Sequence, residues 1–269
     1  MRILDFHCHV YPFSIAGRAS AAVAKFYQGC CGERSVQQPC TLQDVLRFQA
    51  EAGITKTVLC SAAVAPHQVR QINVFLARKA AQSGVHCVSF GTLHPNSPDV
   101  AGDMEHLLSL GLKGVKLHPD MQRFALDSPG AMWLYELAGG RVPFLLHTGD
   151  RRFSYSNPEQ LIPVLEAFPE TTFVAAHMGG FTIWEEATRV LAGRYENLYV
   201  DMSSTLFVVP PEKTVELIRA YGAQRVIFGT DFPMLHPRTE VDRFLALPLS
   251  DREKRMIAWD NGARLIGLE

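Results

Sequence analysis

Short apolar runs, each closed by a polar residue, recur along this chain at nearly regular intervals. The polar residues that close five of them are, in order, His118, His147, His177, Asp201 and Asp231. Runs rich in β-branched and aromatic residues that end before Gly or Pro are typical of buried strands. Because one strand, its loop and a return helix occupy about 30 residues, each of these intervals predicts one βα unit.

Eight such units fit the chain. Strands are predicted at residues 2–8, 55–60, 85–91, 113–118, 142–147, 172–177, 197–201 and 225–230. Helix-start signals lie between them, as in Thr41-Leu-Gln-Asp and Asn157-Pro-Glu. Eight units in 269 residues predict an α/β chain that folds as a (β/α)8 TIM barrel, a single domain over residues 1–269. In that fold the functional site lies at the carboxyl ends of the strands.

The first βα segment, residues 10–40, is much longer than an ordinary βα loop. It contains a predicted short helix at Ala19–Tyr27 and a turn at Gly29-Cys30-Cys31-Gly32. Because this segment follows the first strand, we expect it to lie over the barrel mouth as a lid or specificity loop. A dimer contact would explain the insertion about as well.

Composition narrows the class of protein. The chain is 47% hydrophobic and 20% charged, with a net charge of −1, which is typical of a soluble globular protein. This charge balance gives no reason to expect a nucleic-acid or membrane partner, and no apolar stretch reaches membrane-spanning length. Six irregularly spaced cysteines predict reduced thiols in a cytoplasmic protein.

Two histidines, His7 and His9, stand one residue apart at the end of the first predicted strand. Side chains on a strand alternate between its faces, so both imidazoles point the same way and can reach one metal ion. Taken alone, such a pair is more simply explained as hydrogen-bonded core histidines. The further polar residues at strand ends downstream favour metal ligation instead.

These residues together resemble the amidohydrolase superfamily, and in detail its amidohydrolase-related branch. That branch holds metal-dependent hydrolases and enzymes of the aminocarboxymuconate-semialdehyde decarboxylase type. Besides the strand-end residues, the segments that carry the resemblance are Gly114-Val-Lys-Leu-His-Pro119, His177-Met-Gly-Gly, Gly229-Thr-Asp-Phe-Pro233 and Asn261-Gly-Ala-Arg-Leu-Ile-Gly-Leu268. The resemblance runs from residue 1 to the carboxyl terminus.

By this resemblance His7, His9, His147 and Asp231 bind the metal, and His177 stays off it as a catalytic or supporting group. Three neutral imidazoles, one carboxylate and an open position suit one Zn²⁺ ion, ahead of Mn²⁺ or Fe²⁺. Such an ion lowers the pKa of its bound water from 15.7 to about 7. Asp231 is expected to accept the proton of that water, and His177 to stabilise charge on the substrate.

Lys116 and His118 share a face of the fourth strand, which points into the barrel. In two-metal members of the superfamily a lysine on this strand is carboxylated and bridges the ions. If Lys116 did so, His177 would bind the second ion. The Lys-Leu-His-Pro context resembles the single-metal branch, so we expect one ion, with Lys116 or His118 contacting substrate.

Two further polar positions have expected roles. Arg151 and Arg152 follow the fifth strand, where a guanidinium would suit a substrate carboxylate, and Arg151 is the predicted contact. A solvated charge or an ion pair with Asp150 is an equally good interpretation. Asp5 is expected to be a buried acceptor that orients one of the ligands.

The main functional expectation is a metal-dependent hydrolase that cleaves a lactone, ester or amide bond of a small molecule. The alternative is a metal-dependent, non-oxidative decarboxylase of a small carboxylic acid, because the ligand set serves both reactions. A barrel that only binds a metal or metabolite is a third hypothesis, and a phosphodiesterase or nuclease is a more remote one. Members of the branch it resembles commonly form homodimers, so a homodimer is expected by resemblance.

Overall fold

A computed structural model describes residues 1–28 and 39–268, and within these ranges eight parallel strands alternate with helices. The strands are β1 (Leu4–His9), β2 (Lys56–Cys60), β3 (Cys87–Ser89), β4 (Val115–Leu117), β5 (Phe144–Leu146), β6 (Phe173–Ala175), β7 (Leu198–Asp201) and β8 (Val226–Ile227). Each overlaps one predicted strand, so the predicted strand order is confirmed.

Helices cover the outside of the strands. They are α1 (Ala16–Phe26), α2 (Leu42–Glu51), α3 (Val69–Gln82), α4 (Val100–Ser109), α5 (Pro119–Gln122), α6 (Pro129–Ala138), α7 (Pro158–Ala167), α8 (Trp184–Leu191), α9 (Pro211–Tyr221), α10 (Pro237–Ala246), α11 (Asp251–Arg255) and α12 (Asn261–Leu265). The capping box predicted at Thr41 is present: Thr41 Oγ1 accepts from the Asp44 backbone N–H, and Asp44 Oδ2 accepts from that of Thr41. No helix in the described ranges is long and apolar enough to cross a membrane.

Backbone hydrogen bonds join the strands into a ring. β1–β3 form one sheet and β4–β8 another. Between β3 and β4, Lys116 N donates to Gly91 O at 2.7 Å. Between β1 and the chain after β8, Asp231 N donates to His7 O and His9 N donates to Phe232 O, both at 2.8 Å. These bonds close the (β/α)8 barrel, which confirms the predicted fold class.

The first βα segment reaches the barrel mouth, as predicted. Its helix α1 is longer than expected, since it begins at Ala16 rather than Ala19 and ends at Phe26. The next residue, Tyr27, places its hydroxyl 2.8 Å from His118 Nε2 beyond the end of β4. The predicted turn at 29–32 lies outside the described residues.

Asp5 is a buried acceptor, as predicted, but it contacts the backbone of His7 and not the imidazole of a ligand. A register shift between Asp5 and Cys8 interrupts the alternation of β1, and both side chains contact Gln49 of α2. The fully buried Asp5 carboxylate accepts from Gln49 Nε2 at 2.7 Å and from Thr230 N and Oγ1 at 2.9 and 2.6 Å. It also accepts from the backbone N–H of His7, not from an imidazole. Asp5 therefore ties β1, α2 and the end of β8 together.

Asp5→Ala is expected to destabilise the barrel. The substitution leaves the donors of Thr230 and Gln49 buried without an acceptor, which should lower the free energy of unfolding by about 3 kcal/mol. Urea denaturation measures the loss, and Asp242→Ala, which removes an exposed carboxylate paired with Arg238, is the control. Equal stability of the two variants would contradict this role for Asp5.

Candidate active site

The predicted site residues meet at the carboxyl end of the barrel. His7 and His9 are on β1, and His147, His177 and Asp231 follow the ends of β5, β6 and β8. All are buried except His9, which is partly exposed. The position predicted for the site, at the strand ends, agrees with this arrangement.

The tautomer of His7 leaves one ring nitrogen with a lone pair that could bind a cation. Its Nδ1 lies 2.9 Å from Asp201 Oδ2 on β7, and because a carboxylate only accepts, Nδ1 carries the proton. The lone pair is then on Nε2, which is buried and has no hydrogen-bond partner among the described residues. Asp231 Oδ1 lies 3.6 Å from that nitrogen. A carboxylate that fixes the tautomer of a ligating histidine is a recurrent feature of metal sites.

His9 and Asp231 complete the group around His7. His9 Nε2 lies 3.2 Å from Asp231 Oδ1, and Ser204 Oγ donates to Asp231 Oδ2 at 2.5 Å. The other ring nitrogen of His9 lies 3.8 Å from the sulfur of Cys60. One ligand atom each from His7, His9 and Cys60 lies within 4.8 Å of the others. These donors fit a divalent cation of the zinc or manganese type.

His147 stands apart from this group. Its Nδ1 lies 2.9 Å from His177 Nε2. Its buried Nε2 has no hydrogen-bond partner in the described part of the chain and lies 3.4 Å from Asp120 Oδ2. His118, Asp120 and His147 form a second group whose ligand atoms lie within 4.8 Å of one another. The structure therefore brings three of the four predicted ligands together, and ligation by His147 stays a prediction.

The hydrogen bonds of His177 fix two tautomers. Its Nδ1 faces Ser203 O at 2.9 Å, a carbonyl that can only accept, so Nδ1 carries the proton. In a neutral ring Nε2 then accepts, and the donor is His147 Nδ1. The proton of His147 is thereby on Nδ1, which leaves a lone pair on Nε2. His147 and His7 thus both have an unprotonated Nε2 atom.

Burial keeps three of the site imidazoles, those of His7, His147 and His177, neutral. It lowers the pKa of His7 to about 4, lowers that of His177 and holds that of His147 well below its usual value. Burial alone would raise the pKa of Asp231, but its contacts with His7 and His9 hold that pKa below the ordinary range. Burial alone would also lower the pKa of His9, but its contacts with Cys60 and Asp231 raise that pKa to about 10. His7, His147 and His177 are therefore in the neutral form that binds a divalent cation, whereas His9 must lose a proton to do so.

The two predicted catalytic residues, His177 and Asp231, have backbone conformations that are rare for residues other than glycine. His177 and Asp231 both adopt a left-handed conformation with φ of 59°. Such a conformation costs about 1–3 kcal/mol in a residue other than glycine, and it concentrates at functional sites. The backbone N–H groups of both residues are held: His177 N donates to the Asp201 carboxylate at 3.1 Å, and Asp231 N donates to the His7 carbonyl at 2.8 Å.

The three predicted substrate contacts differ in position. Lys116 is buried on β4 in the field of Asp201 and Asp231, and burial lowers its pKa. His118 stacks on His147, with ring centroids 3.9 Å apart and an interplanar angle of 9°. Arg151, by contrast, is exposed, and its guanidinium donates to Thr182 O at 3.4 Å. A substrate contact by Arg151 stays a prediction, and nothing in its own contacts directs it into the site.

The sequence reasoning missed three residues at the site. Asp201 was visible as a strand-end residue in the same spacing series, and that position was its only signal. Asp120 follows the His118-Pro119 motif, where a second acidic ligand position could have been suspected. Tyr27 had no signal in the sequence. It lies in the first βα segment, and the contacts of a loop do not follow a repeating pattern of residues.

A (β/α)8 barrel with histidine and aspartate donors at its strand ends defines a metal-dependent barrel enzyme. The family model described as amidohydrolase matches residues 4–268. The chain therefore belongs to the amidohydrolase family and is an enzyme of that superfamily, as its sequence motifs predicted. None of the curated proteins compared with the chain matches it.

Solved structures share this fold along its whole length. An uncharacterized TIM-barrel protein from Bordetella bronchiseptica is 21% identical with a TM-score of 0.83, each chain being 99% covered. The 5-carboxyvanillate decarboxylase of Sphingomonas paucimobilis is 16% identical with a TM-score of 0.75, covering 100% of this chain and 99% of its own. A dihydroxybenzoic acid decarboxylase from Polaromonas, solved with manganese and 2-nitroresorcinol, is 18% identical with a TM-score of 0.74, covering 99% of this chain and 97% of its own.

Asp201→Ala is expected to weaken metal binding. Without the carboxylate, the tautomer and the orientation of His7 are no longer fixed, so affinity for Zn²⁺ or Mn²⁺ should fall by about 10- to 100-fold. Competition with a chromophoric chelator measures the affinity. Asp103→Ala, which removes another buried carboxylate from α4, is the matched control. Unchanged affinity in Asp201→Ala would exclude this role.

Proposed function

We propose that the protein is a metal-dependent, non-oxidative decarboxylase of a small aromatic carboxylic acid. The observation that carries the proposal is the set of solved structures similar over the whole chain, which includes decarboxylases of dihydroxybenzoate and 5-carboxyvanillate. The donors for a divalent ion and a buried histidine beside them supply the chemistry that such a reaction needs. This is the alternative expected from the sequence, and the similar structures favour it over hydrolysis.

Aromatic rings next to the imidazoles support an aromatic substrate. Phe181 contacts His177 edge to face, with ring centroids 5.5 Å apart. Phe181 also contacts Tyr27 edge to face, with ring centroids 5.3 Å apart. Phe26 lies edge to face with His118 at 5.8 Å. A flat apolar ring packs favourably among such side chains, whereas a carboxylate on it can face Lys116.

The reaction replaces one bond to carbon with another. The bond between the substrate carbon and its carboxylate breaks, carbon dioxide leaves, and a proton joins the same carbon. A divalent ion held by His7, His9, Asp231 and His147 would supply a Lewis acid that binds and polarises a substrate oxygen. Asp231 and His177 are the groups placed to hold and transfer the proton.

The identity of the ion is part of the proposal. The donor chemistry suits one Zn²⁺ ion, and the manganese in the Polaromonas enzyme makes Mn²⁺ the other candidate. One equivalent per chain is the proposed content, with Lys116 uncarboxylated and facing substrate. Two equivalents per chain would instead favour a carboxylated Lys116 that bridges them.

A substrate panel tests the reaction. Holoprotein loaded with Zn²⁺ or Mn²⁺ is incubated with aromatic carboxylic acids, including 2,6-dihydroxybenzoate and 5-carboxyvanillate, and in parallel with aryl esters, lactones and amides. We expect release of carbon dioxide and, in D₂O, one deuterium at the carbon that lost the carboxylate. Removal of the metal by a chelator should abolish turnover, and re-addition should restore it.

Two variants connect the reaction to the site. Asp231→Asn and His177→Asn are each expected to reduce kcat by about 100-fold or more, because each removes a group that handles the proton. Tyr135→Phe, which loses a buried hydroxyl bonded to Leu126 O away from the site, is the control. Cleavage of an ester, lactone or amide by holoprotein that releases no carbon dioxide would refute decarboxylation and restore the hydrolase hypothesis.

A further inference from the structure

The hydroxyl of Tyr27 lies among the site histidines without a role in the chemistry described so far. Its oxygen is 2.8 Å from His118 Nε2 and 3.4 Å from His147 Nδ1. Tyr27 comes from the first βα segment, far in sequence from both histidines. Which partner donates in these two contacts decides what the hydroxyl can do.

His118 donates to Tyr27. The backbone N–H of Met121 donates to His118 Nδ1 at 3.3 Å, because His118 caps α5. Nδ1 therefore carries the lone pair, and in the neutral ring the proton is on Nε2. The short contact between the two side chains then runs from His118 Nε2–H to the oxygen of Tyr27.

His147 cannot accept from Tyr27 either. His177 Nδ1 donates its proton to Ser203 O, so His177 Nε2 is an acceptor. His147 Nδ1 is therefore the donor in the bond to His177 Nε2. A nitrogen that carries a proton has no lone pair in the ring plane. Neither imidazole can therefore take the phenolic proton of Tyr27, which has no other hydrogen-bond acceptor among residues 1–28 and 39–268.

From this donor count we propose that Tyr27 is a substrate-binding residue whose hydroxyl donates a hydrogen bond to a carboxylate oxygen of the substrate. The carboxylate as acceptor rests on the proposed function, whereas the uncommitted donor follows from the geometry alone. A hydroxyl that receives a bond from His118 is polarised, which strengthens the bond it donates. Together with Lys116, this donor offsets the lone pairs and carboxylates that make up most of the centre.

Arg152 holds Tyr27 in place. Its guanidinium makes a bidentate pair with the buried Asp150, at 2.9 Å to Oδ1 and 2.6 Å to Oδ2, and donates to Phe26 O at the end of α1. Phe26 in turn stacks on Phe153, with centroids 5.2 Å apart and planes within 8°. Because Asp150 and Arg152 belong to the loop after β5, this loop clamps the α1 end over the site. Arg152 is thus a positioning residue that acts through Tyr27.

Tyr27→Phe tests the proposal, since it deletes the hydroxyl and keeps the ring. We expect kcat/KM to fall by about 10- to 100-fold, mainly through KM, because a hydrogen bond to a charged substrate is lost. Benzoate affinity of the metal-loaded protein, measured by calorimetry, should fall by about tenfold or more. Metal content should match wild type, whereas the melting temperature should fall, because His118 Nε2–H loses its acceptor. Tyr135→Phe should match wild type in kcat/KM, benzoate affinity and metal content, and its melting temperature should also fall, because Leu126 O loses its buried donor.

A double-mutant cycle tests Arg152. Arg152→Gln alone should raise KM and speed amide hydrogen exchange in Ala16–Phe26, and Arg152→Lys should partly restore both. In Tyr27→Phe with Arg152→Gln, kcat/KM should be no lower than in Tyr27→Phe alone, because the arginine acts through the tyrosine. Additive losses would overturn that role.

The outcomes separate this proposal from the proposed function. If the wild type hydrolyses esters instead of releasing carbon dioxide, decarboxylation fails, but weaker benzoate binding by Tyr27→Phe still supports the tyrosine. If Tyr27→Phe binds benzoate and turns over substrate as the wild type does, the proposal for Tyr27 is overturned whatever the reaction. Failure of the wild type to bind benzoate would overturn the carboxylate contact.

Discussion

The site depends on the closure of the barrel between β1 and the chain that follows β8. Two backbone hydrogen bonds of 2.8 Å, from Asp231 N to His7 O and from His9 N to Phe232 O, join the first strand to the last βα unit. They place the Asp231 carboxylate 3.2 Å from His9 Nε2. Gathering a carboxylate and two imidazoles away from water costs free energy, and here the packing of the whole barrel offsets that cost.

The barrel and the location of its site could be predicted because they depend on repeated patterns. A parallel strand covered on both faces must be a short apolar run, so its end is marked where a polar residue interrupts it. The rule that sites lie at strand ends correctly placed four residues together at the barrel mouth: His7, His9, His177 and Asp231. The same rule could not say that His147 would face His177 and Asp120, because ring orientation follows from contacts between different loops.

Asp5 and Asp201 show where the pattern rules stop. Strict alternation along β1 predicts that Asp5 supports a neighbouring histidine, but the register shift before Cys8 directs it to α2 and Thr230. The carboxylate that does support His7 comes from β7, 194 positions along the chain. A single bulge is enough to exchange these roles, and a bulge has no reliable signature in one sequence.

Asp201 couples the predicted ligand to the predicted catalyst. One oxygen accepts from His7 Nδ1, and the other accepts from the backbone N–H groups of His177 and Ser203. With protons fixed on the Nδ1 atoms, the rings of His7 and His147 keep lone pairs on buried Nε2 atoms, whereas the lone pair of His177 accepts from His147 Nδ1. Such a centre attracts cations and repels a carboxylate substrate. An anionic substrate therefore needs a metal ion and hydrogen-bond donors from outside this network. Lys116 and the Tyr27 hydroxyl are the donors proposed for that role.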